Sequence, residues 1–137
     1  MSNVVYVGPA ECHPDVSERQ ASESILPRKV MVAGSSDTFD LAAADQGGVV
    51  YFALENILGE LSEAYATGET IQGARPKSGE YYELSLASSQ TISKDDALTT
   101  DASGDLVALG TGSNTVAYAD EAVTTTGTAG SIRVYIK

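Results

Sequence analysis

The chain has 137 residues and a formal net charge of −11, from 19 acidic and 8 basic residues. This length supports one domain, with some residues left over for an arm or for long loops. The basic residues are scattered and never form the cluster that displaces counterions from phosphate groups, which argues against nucleic acid and against anionic membranes as partners.

Cysteine content and apolar runs limit the cellular setting. The single cysteine, Cys12, excludes an intramolecular disulfide framework. The first residues carry no signal-peptide pattern, and no apolar run approaches transmembrane length. We therefore expect synthesis in a cytoplasm. With 7% aromatic residues, no Trp and 13 Gly, the composition favours sheets joined by tight turns around a core of small and aliphatic side chains.

Residues 1–27 differ from the rest of the chain. Three of the four prolines (Pro9, Pro14 and Pro27) lie here, and proline fixes φ and removes a backbone donor. A short helix over 15–25 is an alternative, but its apolar spacing is poor. We predict that 1–27 forms an extended N-terminal arm without regular internal structure, which lies on another molecule, and that 28–137 forms a β-rich domain.

Short strand patterns recur between turn signals from Arg28 onward. In 80–86, Tyr82, Leu84 and Leu86 alternate with polar or surface residues, and 131–137 alternates in the same way. The stretch 48–54 is continuously apolar, which is typical of a strand covered on both faces. Strands are also predicted at 29–33, 97–100, 106–109 and 115–119, with 101–105 as a hairpin loop.

The segment 54–65 is ambiguous. Its apolar residues follow helical spacing, but Gly59 interrupts the middle and no good N-cap precedes it. We expect an irregular loop with one helical turn near 60–65. The chain as a whole is therefore predicted to be all-β, a small barrel or sandwich domain with an extended N-terminal arm.

The stretch from Lys94 to Lys137 resembles the capsid cement, or head decoration, proteins of tailed bacteriophages. The resemblance is carried by a strand start, a hairpin return, a Gly/Thr loop, a strand that ends in acidic residues, and a closing strand: Asp95-Asp96-Ala97-Leu98, Gly104-Asp105-Leu106-Val107, Gly110-Thr111-Gly112, Val116 to Ala122, and Gly130 to Val134. With Ala64 to Glu69 it covers roughly residues 28–137. Ala117 stands where members of the family often carry Gly.

The resemblance implies a β-tulip-like or small-barrel domain on the exterior of the virion capsid. Its partners would be the major capsid protein and further copies of itself in a homotrimer. Candidate contact residues come from the arm and from the closing strand: Val4, Val5, Tyr6, Val7, Pro9, Ile25, Leu26, Arg133 and Tyr135.

The residues that could carry chemistry have simpler interpretations. Cys12 and His13 are adjacent, point in opposite directions in an extended chain, and have no second Cys or His to complete a zinc site or a catalytic pair. Carboxylate pairs such as Asp95-Asp96 fit solvated loops, with weak calcium binding as the alternative. We therefore predict no catalytic residue, cofactor or metal, and a chain that is not an enzyme.

Two functions of different classes remain open. The first is a structural capsid cement protein that binds the outer surface of a tailed-phage head and stabilises the mature shell. The second is a carbohydrate-binding or fibre-associated β-module, which needs a platform of exposed aromatic side chains. With no Trp, such a platform is poorly supplied.

Overall fold

A computed structural model of the chain describes residues 4–10, 13–56 and 61–137. The described residues contain no helix, so the predicted all-β class is confirmed. Their strands are β1 (Tyr6–Gly8), β2 (Asp15–Ala21), β3 (Val30–Ala33), β4 (Thr38–Leu41), β5 (Tyr51–Ala53), β6 (Thr70–Arg75), β7 (Tyr81–Leu86), β8 (Thr91–Ile92), β9 (Ala97–Thr100), β10 (Leu106–Ala108), β11 (Ala117–Ala119), β12 (Val123–Thr124) and β13 (Gly130–Tyr135).

Five strands close into a first barrel, in the order β2-β4-β3-β5-β6. Its longest pairing joins β2 to β6 in antiparallel register, from Asp15 opposite Arg75 to Gln20 opposite Thr70. β2 also pairs with β4 in parallel, which completes the ring. Both long edges of β2 are thereby involved in the barrel.

The C-terminal strands form a second ring, here called the second barrel, in the order β7-β10-β9-β11-β13. It closes where β13 pairs with β7 over six residues, from Gly130 opposite Leu86 to Tyr135 opposite Tyr81. The other edge of β7 is shared by β10, which meets it at Leu86, and by β1, which meets it at Tyr81 and Tyr82. β8 and β12 form a separate two-stranded sheet.

One apolar core runs through both barrels. Val30, Phe52 and Ala74 of the first barrel belong to the same buried cluster as the inward residues of the second. The rings of Phe52 and Tyr82 meet edge to face, with centroids 4.8 Å apart. A smaller cluster around Phe39, Met31 and Ile71 fills the first barrel. Because each barrel contributes side chains to the shared cluster, neither buries its apolar surface fully without the other.

Polar contacts reinforce the junction between the barrels. Lys29 donates to a carboxylate oxygen of Asp105 at 2.7 Å, and both side chains are largely buried. The Val30 amide donates to the carbonyl of Gly104 at 2.9 Å. The turn between β9 and β10 is therefore held against the start of β3.

The prediction of an arm without regular internal structure is wrong for the described part of 1–27. Residues 15–21 form β2 and residues 6–8 form β1. Pro9 and Pro14 lie between β1 and β2, and Pro27 lies between β2 and β3, where a missing amide donor breaks no strand pairing. The helix considered for 15–25 is also absent. The polar sequence of β2 obscured its role, since its more buried positions include only one apolar residue, Ala21.

Of the other predicted elements, most strands are confirmed, one is shorter than predicted, and the helical turn is not formed. β3, β7, β9, β10, β11 and β13 confirm the predicted strands, and Tyr82, Leu84 and Leu86 are fully buried as expected. The apolar run 48–54 yields only β5, and Val49 is half exposed. The helical turn expected near 60–65 is not formed over 61–65, where Tyr65 makes an isolated bridge to Ile25; residue 60 lies outside the described residues. β4, β6, β8 and β12 were not predicted.

Candidate interaction surface

Three tyrosines form a row on the outer face of the second barrel. Tyr118 on β11 lies opposite Tyr135 on β13, and Tyr135 lies opposite Tyr81 on β7. The rings of Tyr118 and Tyr135 are stacked with centroids 5.7 Å apart, and those of Tyr135 and Tyr81 are 6.3 Å apart. We call Tyr81, Tyr118 and Tyr135 the tyrosine ladder. It is an apolar strip with hydroxyl groups, the kind of surface that aromatic residues form at protein interfaces.

Charged groups border the tyrosine ladder. The ammonium group of Lys137 lies over the Tyr118 ring, 5.3 Å from its centroid. The Tyr135 hydroxyl donates to Asp95 at 2.9 Å, and this hydrogen bond raises the pKa of Tyr135. Tyr135 is therefore held in one orientation by its own strand and by the loop before β9.

An ion-pair network lies beside the ladder. Arg133 Nε donates to Asp120 at 2.7 Å, and Lys94 contacts both Asp95 and Asp120 at 3.5 Å. The hydrogen bond from Arg133, above all, holds the pKa of Asp120 below its usual value, and the same bond raises the pKa of Arg133. The Arg133 amide also donates to Glu121 at 2.8 Å. These bonds fix the loop from Asp120 to Ala122 against β13.

The predicted contact residues fall into three groups. Val4, Val7, Pro9 and Leu26 are exposed, and Tyr6, Arg133 and Tyr135 keep part or most of their surface. Val5 and Ile25 are fully buried in the core, so these two predictions are wrong. Their burial follows from the pairing of the neighbouring backbone with β7 and with Tyr65.

Several of the exposed candidates lie on adjacent strands. Tyr6 and Val7 are on β1, which pairs with β7, and β7 pairs with β13, which carries Arg133 and Tyr135. Leu26 lies apart from Tyr135, in a shallow surface depression with Ser85 and Ser131 at the opposite end of β7 and β13. The structure thus brings the start of the chain and the closing strand to one side of the second barrel.

Sequence reasoning missed the role of Tyr118. The alternating patterns of β7 and β13 place Tyr81 and Tyr135 outward, but the sequence does not give the register between these two strands, which pair from Leu86 opposite Gly130 to Tyr81 opposite Tyr135. In the folded chain that register aligns the rings. The signal that could have suggested a row was the presence of one outward tyrosine in each of three predicted strands.

The carboxylates singled out in the sequence support local turns. Asp101 accepts from the amides of Ser103 and Asp105 at 2.8 and 3.0 Å. Asp96 accepts from the Ser93 amide at 2.8 Å. Asp101 thus makes an Asx turn, and Asp96 closes its loop by accepting from the residue three positions before it. Among the residues that the structure describes, no group of three or more His, Cys, Asp or Glu side chains could hold a metal ion.

Asp45 anchors the loop between β10 and β11. Its carboxylate accepts from the amides of Ser113 and Asn114 at 3.0 and 2.9 Å, and Thr99 contributes a weaker bond at 3.3 Å. The backbone hydrogen bonds from Asn114 and Ser113 lower the pKa of Asp45. Asp45 thereby ties a loop of the first barrel to a loop of the second.

A crevice of about 390 Å³ opens beside this anchor. It is lined by residues 46–50, by Arg75 and Pro76, and by the loop 113–116. Its surface is mainly polar, with Val49 as an exposed apolar side chain. His13 is exposed elsewhere on the chain, and Cys12 lies outside the described residues.

Comparisons with known proteins identify the fold. No protein-family model matches the sequence, and no curated protein matches it significantly. The chain is similar in structure to the N base of head fiber gp8.5 in bacteriophage phi29, with a TM-score of 0.64 and 15% sequence identity. The match covers 91% of this chain and 95% of that chain. The two proteins share a fold over almost their whole lengths.

A membrane-spanning helix is not found in the described ranges of the chain. The specific resemblance to cement proteins stays a prediction, because no family model supports it. The structural comparison shows a shared fold and does not depend on the sequence resemblance, because it rests on three-dimensional structure over both barrels.

Proposed function

We propose that this chain is a structural protein of the tailed-phage head that binds the outer surface of the shell and stabilises its mature form. The observation that carries the proposal is the fold shared with a head fiber base over 91% of this chain and 95% of that one. Both barrels take part in that match, so the likeness concerns the entire arrangement. The sequence resemblance of Lys94 to Lys137 to head decoration proteins points to the same class.

The proposed mechanism is binding without catalysis. A protein that binds only the mature, expanded shell lowers the free energy of that state by mass action. A homotrimer would contact several shell subunits at once, so that modest single contacts add up to durable attachment through effective concentration. Near the candidate surface, Asp96 accepts a hydrogen bond from Ser93 of its own loop, and Glu121 accepts one from the Arg133 amide of β13. Such bonds hold the surrounding loops in place, which suits a rigid binding module.

The test is reconstitution on heads that lack this protein. Purified protein is added to undecorated mature heads and to unexpanded heads, and binding is measured by sedimentation and by mass measurement of intact particles. We expect saturable binding in hundreds of copies to mature heads and a higher temperature of rupture, because only the bound state is stabilised. Absence of binding, or an unchanged rupture temperature at saturation, would contradict the proposal.

The tyrosine ladder favours a second candidate, a carbohydrate-binding module. A row of accessible rings is the platform that such a function needs, and the ladder supplies one exposed ring, Tyr81, beside two half-buried ones, Tyr118 and Tyr135. The sequence alone did not reveal this row. A glycan array probed with the purified chain tests this function. Strong binding to one glycan class that is lost when Tyr81 and Tyr135 are replaced would favour it over shell attachment.

A further inference from the structure

We infer that the tyrosine ladder is the docking site for an arginine- or lysine-bearing segment of the head shell protein. The inference rests on the proposed function and adds to it the surface used and the chemistry of the partner. Three observations carry it: a cation that already occupies one ring, the charge of the chain, and the fixed geometry of the remaining rings.

One ring of the ladder already binds an ammonium group. Lys137 Nζ lies 5.3 Å from the centroid of Tyr118, within the distance at which a cation is attracted by the negative face of an aromatic ring. Tyr135 and Tyr81 continue the row at 5.7 and 6.3 Å spacings. Lys137 therefore shows that a ring of the ladder accepts an ammonium group, and the rings of Tyr135 and Tyr81 lie next to Tyr118 in the same row.

The charge of the chain favours a cationic partner. With a net charge of −11 the protein attracts basic segments and repels polyanions over long distances. Near the ladder, Lys94 and Arg133 are paired with Asp95 and Asp120, so their charges are largely compensated. Glu121 adds a further carboxylate beside β13, which offsets the charge of Lys137 over Tyr118. The attraction of a basic segment therefore comes from the overall charge of the chain.

The geometry of the ladder is set before any partner binds. Each ring is fixed by its strand register, and the Tyr135 hydroxyl is held by Asp95 at 2.9 Å. Tyr81 is 38% exposed, which leaves room for an incoming side chain. Rigid aromatic rings lose little conformational entropy on binding, and arginine and tyrosine are both enriched where interfaces concentrate their binding energy.

The first experiment uses undecorated mature heads and the double variant Tyr81→Thr/Tyr135→Thr. Threonine removes the rings and keeps a strong strand former on the outer face. We expect head binding to weaken about tenfold or more, and wild-type binding to weaken as salt is raised. The matched control is Val16→Thr, an exposed apolar residue on β2 of the first barrel, which should bind like wild type. Thermal melts confirm that each variant folds.

The second experiment needs no heads. A tetra-arginine amide peptide is titrated into the wild-type chain at low salt, and the ring resonances of Tyr81, Tyr118 and Tyr135 are followed by NMR. We expect these resonances to shift, while tetraglutamate and a neutral oligosaccharide leave them unchanged. Lys137→Gln should bind the peptide about two- to fivefold more tightly, because it frees the face of Tyr118 and removes a like charge.

The outcomes separate this inference from the proposed function. If wild type binds heads and the ladder variant binds equally well, the inference is wrong and the proposed function stands. If wild type does not bind heads, the proposed function fails, and an absence of ring shifts with tetra-arginine then overturns the inference as well. Ring shifts with the oligosaccharide in place of the peptide would overturn it in favour of the carbohydrate module.

Discussion

The two barrels fill their interiors in different ways. In the second barrel, β7 and β13 alternate strictly, and Leu84, Ile132 and Val134 are fully buried. In the first barrel, a few large side chains face very small ones. A Cβ added at Gly73 would lie 2.7 Å from Phe39 and 3.1 Å from Met31. The first barrel is thus packed by complementing large against small residues, and the second by periodic aliphatic strands.

This difference shows when a strand can be recognised from alternating apolar residues in its sequence. Alternation appears in sequence when each inward position supplies its own apolar volume. When a strand that is not its pairing partner supplies the volume, as Phe39 of β4 does over Gly73 of β6, the inward positions can be small or polar and the alternation disappears. β2 is the clearest case, because Arg19 reaches the Phe39 ring at 5.8 Å while Val16 faces outward.

The largest expected loss of stability comes from a substitution in the aliphatic core of the second barrel. Leu84→Ala removes a fully buried side chain from the shared core and should lower the free energy of unfolding by about 3 kcal/mol, from lost burial plus the cavity left behind. Urea denaturation measures it. Ser85→Ala, on the opposite face of β7, is the control and should change stability by less than about 0.5 kcal/mol. Equal losses would contradict the assignment of faces.

The next effect tests the junction between the barrels. Gly104 has φ of +75°, and a Cβ there would lie 2.8 Å from the carbonyl oxygen of Val30. Gly104→Ala should cost about 2–3 kcal/mol, because a left-handed backbone and a clash with backbone atoms act together. Gly79→Ala shares the positive φ, +91°, but meets nothing within 4 Å; it should cost about 1 kcal/mol. A larger loss for the Gly79 variant would refute the clash.

A smaller effect tests the large-against-small packing of the first barrel. Gly73→Ala should cost about 1–2 kcal/mol, since Phe39 and Met31 must shift to admit the methyl group. Gly127→Ala meets nothing within 4 Å and should be neutral or slightly stabilising. Because the barrels share one core, the Gly73 variant should shift the unfolding of both together. Separate transitions, resolved by NMR probes in each barrel, would show independent barrels.

The smallest effect concerns the Asp45 anchor and depends on pH. The pKa of Asp45 is lowered in the folded chain, so its stabilising contribution is complete above the unfolded value of about 3.9 and is lost as the pH falls through the lower folded value. Below about pH 4 the amide resonances of Ser113 and Asn114 should move with the titration of Asp45. Asp45→Asn should abolish this titration, and its persistence in the variant would assign it to another group.

Prediction from sequence succeeded where local chemistry decided the structure. The β9–β10 hairpin was predicted because Asp101 and Gly104 mark its turn, and β13 because its alternation is complete. β2 failed because its partners β4 and β6 lie 18 or more residues away along the chain and provide the apolar contacts that its own sequence lacks. In the candidate surface, Tyr135 was predicted as a contact residue from its outward position. Its row with Tyr118 and Tyr81 was not predicted, because the row depends on the register between distant strands, which local sequence patterns do not specify.

Closure of the two barrels affects how copies of this chain behave at high concentration. Barrel strands that pair on both sides offer few free amide and carbonyl groups to a neighbour, which disfavours joining of crowded copies through shared sheets. The separate sheet of β8 and β12 has strands of only two residues, which give a neighbour little to pair with. β1, at an end of the six-stranded sheet, is three residues long and is followed directly by Pro9, which cannot donate to a further strand. Such a molecule can be arrayed side by side in great number and still remain a set of separate, exchangeable units.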